Sequence, residues 1–189
     1  MLMTFSDWQV FDEEGRRKYV NRREVSRFLA VADTLVPTIR ALCYVLCFSG
    51  CRVSEALNLT RDHLDPDRGT ITFRTLKRRK LCFRTVPVPI PLLKMLLALP
   101  RRKDARLFPM HRATAWRNIK HVMTLAGISG PMASPKGLRH GFGMRCADKS
   151  IPPNLLQRWM GHANVNTTSI YQQAVGEEER RFARRLWKN

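Results

Sequence analysis

Four short segments of the sequence carry residue types that could act on an anion. The first contains Arg52 and, three residues later, Glu55, directly after an apolar run that ends at Gly50. A guanidinium is planar and permanently charged, and it can bind two oxygens of a phosphate at once. The same two residues could instead form a surface ion pair at a helix junction, so this segment alone does not define a site.

The second segment contains Lys136, Arg139 and His140, and the third contains His162, which follows a glycine, and Tyr171. Lys136 and Arg139 share one helical face, where like charges repel unless an anion lies between them. A tyrosine could act as a nucleophile once its proton is lost. The basic residues could instead serve solubility, and a lone tyrosine is usually a core or interface residue.

The fourth segment is a basic turn between two runs of strand-favouring residues, 70–73 and 81–88. Its cations could enter a groove of DNA or could be solvated. Lys77 begins this turn and is treated below as a candidate for chemistry. The remaining basic residues of the hairpin are the predicted DNA-binding residues: Arg74, Arg78, Arg79, Lys80 and Arg84.

The chain as a whole is strongly basic, with a formal net charge of +19. The charge is unevenly placed, because Asp104 is the only acidic residue between Asp67 and Asp148. A polyanion is the natural partner of such a chain, since each neutralised phosphate releases bound counterions. Nucleic acid is therefore the predicted partner, with a ribosomal or chromatin-type protein, or a merely solvated basic face, as the alternatives.

The elements that position these segments are mostly helices. Asn21 and Glu24 form a capping-box pattern at the start of one helix, and a second helix is predicted from Pro37 to Gly50. Further helices are predicted at 92–99, 114–126, 138–149, 153–160 and 177–187. With the two β-favouring runs, the sequence predicts one mainly α domain with a small antiparallel β-sheet, an α+β fold. No apolar run reaches the roughly 18 residues of a membrane span.

The cysteines do not indicate a metal site. Cys43, Cys47 and Cys51 recur every four residues, which lines them up on one helical face rather than in a tetrahedral cage. They are predicted to be buried, reduced side chains of a cytoplasmic protein. A phosphate-binding glycine loop is missing, and so is a cluster of acidic residues near the basic segments, so ATP use and two-metal nuclease chemistry are disfavoured.

Taken together, the segments resemble the catalytic domain of the tyrosine recombinase family, the phage-integrase-like enzymes. The family pattern is an arginine with an acidic residue three later, a lysine on a β-hairpin, His or Lys before x-x-Arg, a Gly-His box and a downstream tyrosine. All five boxes occur here in that order, between about Asn21 and the C-terminus. The combination is specific, although no single box is.

The resemblance implies a role for each residue. Arg52 and Arg139 correspond to the two family arginines, which hold the phosphate, and His162 to the histidine of the Gly-His box. Tyr171 corresponds to the nucleophile, which forms a 3′-phosphotyrosyl bond and releases a 5′-hydroxyl. Glu55 corresponds to the acidic residue that supports the site.

Three further residues follow from the same resemblance. Lys136 stands where most members have His, a known variant that removes a neutral proton acceptor. Lys77 is the first choice for the hairpin lysine that protonates the leaving oxygen, with Lys80 in reserve, and His140 is placed in a supporting role. The resemblance implies no cofactor and no metal.

The predicted organisation is a single catalytic domain over 1–189, without a separate N-terminal core-binding domain. Residues 1–20 are an N-terminal extension, 21–174 the catalytic core, and 175–189 a helix exchanged between protomers. The expected function is site-specific DNA recombination by a homotetramer on double-stranded DNA, in the cytoplasm with the nucleoid. The alternatives are a type IB topoisomerase or telomere-resolvase-like strand transferase, and a non-catalytic DNA-binding relative.

Overall fold

A computed structural model of the chain describes residues 9–77, 80–101, 105–162, 170, 171, 184 and 187. Within these residues, helices predominate and one three-stranded antiparallel sheet is present, which confirms the predicted α+β fold. In chain order the elements are α1 (Arg22–Ala32), α2 (Pro37–Ser49), α3 (Val53–Leu57), a 3₁₀ turn (Arg61–His63), β1 (Leu64–Asp65), β2 (Thr70–Lys77), β3 (Lys80–Pro87), α4 (Ile90–Leu97), α5 (Arg112–Leu125), α6 (Pro135–Asp148) and α7 (Pro153–Met160).

Helix α1 begins with the capping box that the sequence predicts. The side chain of Asn21 accepts a hydrogen bond from the backbone N–H of Glu24 at 2.9 Å, and the Glu24 carboxylate accepts one from the Asn21 N–H at 2.8 Å. Two otherwise unpaired donors at the helix start are thereby satisfied. Glu24 also forms an ion pair with Arg17, which ties the preceding segment to the helix.

Helix α2 is the centre of the core, because its residues are buried on nearly every side and it contacts α1, α4 and α6. Pro37 occupies its first turn, as predicted, and Gly50 ends it with φ +60°. Cys43, Cys47 and Cys51 are buried free thiols, as the sequence predicts. Among the described residues, no group of His, Cys, Asp and Glu is arranged to hold a metal ion.

The sheet has the order β1–β2–β3, and both pairs are antiparallel. Both predicted strands are present. Strand β2 is four residues longer than predicted and β3 is shifted by one residue, so the two end in a pair between Lys77 and Lys80. The short strand β1 was not predicted, because a strand of two residues is too short to show an alternation of apolar and polar side chains. In the middle of the hairpin, Phe73 pairs with Arg84, and Thr75 pairs with Cys82.

The later helices lie where the sequence predicts them, with ends that differ by at most three residues. Helices α6 and α7 pack together, and a second apolar cluster forms around Phe142, Met160 and Tyr171. The predicted helix at 177–187 falls outside the described residues, apart from two isolated positions. Within the described part of the chain, no helix is long and apolar enough to cross a bilayer.

We expect Gly50→Ala to lower the free energy of unfolding by about 2–4 kcal/mol. The left-handed backbone disfavours any side chain, and an added Cβ would lie 2.4 Å from Cδ1 of Phe142. Gly127 is the matched control, because it has φ +64° but nothing within 4 Å of an added Cβ. Urea unfolding should show a smaller loss for Gly127→Ala, and equal losses would contradict the importance of the Phe142 contact.

Candidate active site

The carboxylate of Glu55 lies at the centre of the candidate site. It is 5% exposed, and it accepts hydrogen bonds from the backbone N–H of Arg52 at 2.7 Å and from the Thr75 hydroxyl at 2.7 Å. Arg84 donates to both carboxylate oxygens, with Nη1 at 2.9 Å and Nη2 at 2.6 Å. The predicted supporting acid is therefore a buried acceptor shared by α3, β2 and β3.

Burial alone would raise the pKa of Glu55, but its partners act in the opposite direction. The hydrogen bonds and charge of Arg84, followed by the bonds from Arg52 and Thr75, lower the pKa to about 2. Glu55 is consequently a carboxylate at neutral pH. It contributes one fixed negative charge to a cluster of cations.

Arg52 precedes α3 and keeps much of its guanidinium available. Its Nη1 lies 3.1 Å from Glu55 Oε1, and 39% of its side chain is exposed. Arg139 extends from α6 and is buried, with Nη1 donating to the Gly50 carbonyl and Nη2 to the Met160 carbonyl, both at 2.6 Å. These two bonds fix Arg139 between the end of α2 and the end of α7.

The pKa of Arg139 is lowered to about 10, first by burial and then by the nearby charge of Arg52. That value is still far above neutrality, so Arg139 is a cation, and it lies near a second guanidinium, that of Arg52. Binding of an anion between two like charges held this close is favourable, because it offsets their mutual repulsion.

His162 follows α7 at a left-handed glycine, Gly161, with φ +64°. The backbone N–H of His162 donates to the Gln157 carbonyl at 3.1 Å, which holds the turn. The pKa of the imidazole is lowered to about 3 by burial and then by the charges of Arg139 and Arg52. The ring is therefore neutral, and it stacks on Tyr171 with centroids 6.3 Å apart and planes 16° apart.

Tyr171 is buried, with only 1% of its surface exposed. Its hydroxyl lies 3.1 Å from Nδ1 of His140. The ring lies against the backbone of α6 at Gly143, where a Cβ atom would be 2.5 Å from Cζ of Tyr171. Burial raises the pKa of the phenol despite the opposing charge of Arg139, so this conformation holds a neutral hydroxyl.

His140 is also neutral, because burial and then the charges of Lys136 and Arg139 lower its pKa to about 3. The hydrogen bond to Tyr171 thus joins two uncharged groups. The sequence placed His140 in a supporting role without a named partner. Its position next to Arg139 in the chain gave no signal for a bond to a residue 31 positions away.

The position of Arg84 in the structure differs from the position predicted from the sequence. It was expected among the DNA-binding residues, but it is 8% exposed and each guanidinium nitrogen donates to a protein oxygen. Besides Glu55, it contacts the Trp159 carbonyl, with Nε at 2.8 Å. The alternation of buried positions at Val86 and Val88 was a readable signal that position 84 lies on the inner face of the strand.

The other predicted residues are less closely involved or fall outside the described side chains. Lys136 is exposed on α6, and Arg74 is exposed on β2. The structure does not describe Arg78 and Arg79, nor the side chains of Lys77 and Lys80, whose backbones form the last pair of the hairpin. Beside the site, an open cleft of about 290 Å³ lies between β3 and α7, with Arg84 and His162 in its wall.

A family model described as the phage integrase family matches residues 18–178. The chain belongs to the phage integrase family. A similar relative is the tyrosine recombinase XerA of Thermococcus kodakarensis, which is 31% identical over 176 residues, covering 87% of this chain and 61% of XerA. The chain therefore spans about three-fifths of that relative's length.

Solved structures of this family have the same fold. The catalytic domain of bacteriophage HP1 integrase has a TM-score of 0.64 and 25% identity, covering 82% of this chain and 86% of that domain. The XerH site-specific recombinase, in a post-cleavage complex with its palindromic difH substrate, has a TM-score of 0.74 and 21% identity, covering 98% of this chain and 64% of XerH. The fold is that of a tyrosine recombinase catalytic domain.

We expect Glu55→Gln to destabilise the protein by about 3 kcal/mol at neutral pH. The pKa of Glu55 in the folded state, about 2, lies below its ordinary value of 4.5, so its contribution is complete above pH 4.5 and is lost as the pH falls towards 2. Urea unfolding at several pH values should show the gap between wild type and variant closing over that interval. Glu13→Gln, at an exposed position, is the control and should change little; a pH-independent gap would contradict the assignment.

The raised phenol pKa predicts that Tyr171 does not ionise with an ordinary tyrosine near pH 10. Folded wild type and Tyr171→Phe should therefore give the same rise in phenolate absorbance up to about pH 11. In denaturant all three tyrosines of the chain are free, so the substitution should remove one third of the signal. A difference of one tyrosine in the folded proteins near pH 10 would show that the phenol is not held as described.

Proposed function

We propose that this chain cleaves and rejoins DNA strands as a site-specific tyrosine recombinase, with Tyr171 as the nucleophile. The observation that supports this most directly is that His162 and Arg139 lie beside Tyr171. Arg52, from a third segment of the chain, lies close to both His162 and Arg139. Membership of the phage integrase family supports the same reaction. Because the chain spans part of its relatives' length, the activity is proposed for the site that it contains.

The charges of the site suit a phosphodiester. Arg52 is half-exposed and Arg139 uses two of its five N–H groups on described carbonyls, so both retain donors for non-bridging oxygens. Donors fixed in advance stabilise the charge that develops on those oxygens without having to reorganise. His162 is neutral at neutral pH and can donate one further hydrogen bond.

In the proposed step, the Tyr171 oxygen forms a bond to phosphorus and the bond from phosphorus to the 5′ oxygen breaks. The phenol loses its proton, and the leaving oxygen gains one from a hairpin lysine, Lys77 or Lys80. The product is a 3′-phosphotyrosyl bond and a free 5′-hydroxyl. A 5′-hydroxyl of another strand can reverse the step, so no ATP is required.

Attack requires Tyr171 to leave its present position, because a tyrosine that is only 1% exposed cannot reach a phosphate of a duplex. We infer that binding of DNA breaks the hydrogen bond to His140 and turns the phenol towards Arg52 and Arg139. The cations there favour the phenolate, which the present buried position disfavours.

The proposed partner is double-stranded DNA, since the chain carries a net charge of +19. Exchange of both strands between two duplexes needs one nucleophile for each of four strands, so we propose a tetramer on two DNA sites. The exchange of the segment 175–189 between protomers and action on nucleoid DNA in the cytoplasm belong to the same proposal.

The decisive test is covalent capture. Wild-type protein is incubated in EDTA with a pool of nicked duplexes that carry random sequence around the nick. After cleavage, the short end beside the nick diffuses away, so the strand cannot be rejoined. We expect a protein–DNA adduct that survives denaturation, and Tyr171→Phe should reduce it by roughly 1,000-fold or more because the attacking oxygen is gone.

Tyr44→Phe is the matched control, because the Tyr44 hydroxyl donates to Asp33 at the end of α1 rather than to a residue of the candidate site, so the adduct yield should be unchanged. An adduct that persists in Tyr171→Phe, or none from any duplex with wild type, would refute the proposal. Transfer of the captured strand to a second duplex distinguishes a recombinase from a type IB topoisomerase or telomere resolvase, which rejoin differently.

A further inference from the structure

One side chain, Arg84, joins three segments of the candidate site. Its guanidinium makes a two-pronged ion pair with Glu55 of α3, donates to the Thr75 hydroxyl of β2 at 2.6 Å, and donates to the Trp159 carbonyl of α7 at 2.8 Å. It also lies against the turn before His162, because a Cβ atom at Gly161 would be 3.1 Å from its Nε. None of the sequence boxes includes this residue.

The bonds of Arg84 fix its orientation as well as its position. A planar guanidinium paired with both oxygens of one carboxylate has a single favourable plane. The face of that plane rests on the Phe73 ring, with the guanidinium carbon 5.1 Å from the ring centroid. Phe73 is the cross-strand partner of Arg84, so the hairpin itself is held at a set angle to α3 and α7.

Stability alone does not explain this arrangement. Taking two charges out of water costs several kcal/mol per ion, and well-packed apolar residues often replace a buried ion pair without loss. A buried pair is therefore better explained by the geometry it specifies. Here the geometry concerns the β2–β3 hairpin, whose described residues contact α3 and α7.

The same hairpin carries both candidate lysines. Position 77 lies two residues beyond Thr75 and position 80 four residues before Arg84, and the two-residue repeat of a strand puts both positions on the face that Thr75 and Arg84 share. Two residues of strand span about 7 Å. A small tilt of the hairpin at Arg84 would thus displace its far end from the phosphate.

Arg84 pairs with both oxygens of Glu55. The Arg52 side chain makes one longer contact with that carboxylate, whereas Arg139 is held by two backbone carbonyls. The nitrogens of Arg84 all donate to protein oxygens, so it is poorly placed to hold a phosphate. We therefore expect Arg84 to act without contacting DNA directly.

We propose that Arg84 is a positioning residue of the strand-cleaving reaction. It sets the β2–β3 hairpin, and with it the lysine that protonates the leaving 5′ oxygen, relative to Arg52 and to the Gly161–His162 turn. This inference rests on the proposed function. Loss of Arg84 should slow protonation of the leaving group while the nucleophile and the phosphate-binding arginines remain in place.

A change of leaving group tests this directly. In a substrate whose bridging 5′ oxygen is sulfur, the bond from phosphorus to sulfur breaks and a thiolate leaves without needing a proton, because the pKa of a thiol is about 8.5. On the oxygen substrate captured by wild type, Arg84→Lys should lower the rate of adduct formation about 100-fold. On the sulfur substrate its rate should be close to that of wild type.

Separate Lys77→Ala and Lys80→Ala variants provide the reference for Arg84→Lys. Whichever of the two lacks the general acid should be slow on the oxygen substrate and close to wild type on the sulfur substrate. Arg68→Lys is the matched control, because Arg68 is exposed in the turn before β2 and keeps its charge. Thr75→Val is a milder second variant that keeps Arg84 and its pair with Glu55 but removes the hydroxyl that donates to Glu55 and accepts from Arg84. It should show a smaller loss that sulfur also rescues.

Equal losses of Arg84→Lys on both substrates would overturn the proposal, because a merely destabilised protein slows every step. An unchanged rate on the oxygen substrate would overturn it as well. Hydrogen exchange gives a readout that needs no activity: Arg84→Lys should speed exchange in the β2–β3 hairpin and leave α2 protected, and unchanged hairpin exchange would contradict the proposal. Failure of wild type to form any adduct would instead refute the proposed function.

Discussion

The buried carboxylate of Glu55 is the interaction around which the site is arranged. It receives donors from the start of α3, from β2 and from β3, so it joins segments that are 20 to 29 residues apart in the chain. The negative charge also reduces the repulsion that accumulates where Arg52, Arg84 and Arg139 come together. Without an anion at this point, the cations needed for phosphate chemistry would oppose the packing that brings them close.

A second constraint concerns how the arginines are divided between two tasks. Arg84 and Arg139 are both buried, but Arg84 is paired directly with a carboxylate, whereas the hydrogen bonds of Arg139 go to two neutral backbone carbonyls. Arg52 is bonded to Glu55 and still reaches solvent. The different tasks of these three arginines follow from the groups to which each is hydrogen-bonded, because the side chains themselves are chemically identical.

Much of the fold and part of the site could be predicted from the sequence. The capping box at Asn21, the helix that ends at Gly50 and the hairpin were readable because each depends on neighbouring residues. The candidate roles of Arg52, Arg139, His162 and Tyr171 came from the resemblance to a family. The burial of Arg84 and the bond from Tyr171 to His140 were not predicted, because their partners come from distant segments and net charge carries no information on depth.

The burial of Tyr171 has a consequence for affinity. If only the state with an uncovered phenol is competent to hold DNA for cleavage, the measured dissociation constant equals the intrinsic one divided by the fraction of molecules in that state. A protein in which one molecule in a hundred is uncovered would thus bind about 100-fold more weakly than its contacts allow. Such a protein binds DNA more weakly, but its nucleophile is shielded from water and from other electrophiles until the correct duplex is bound.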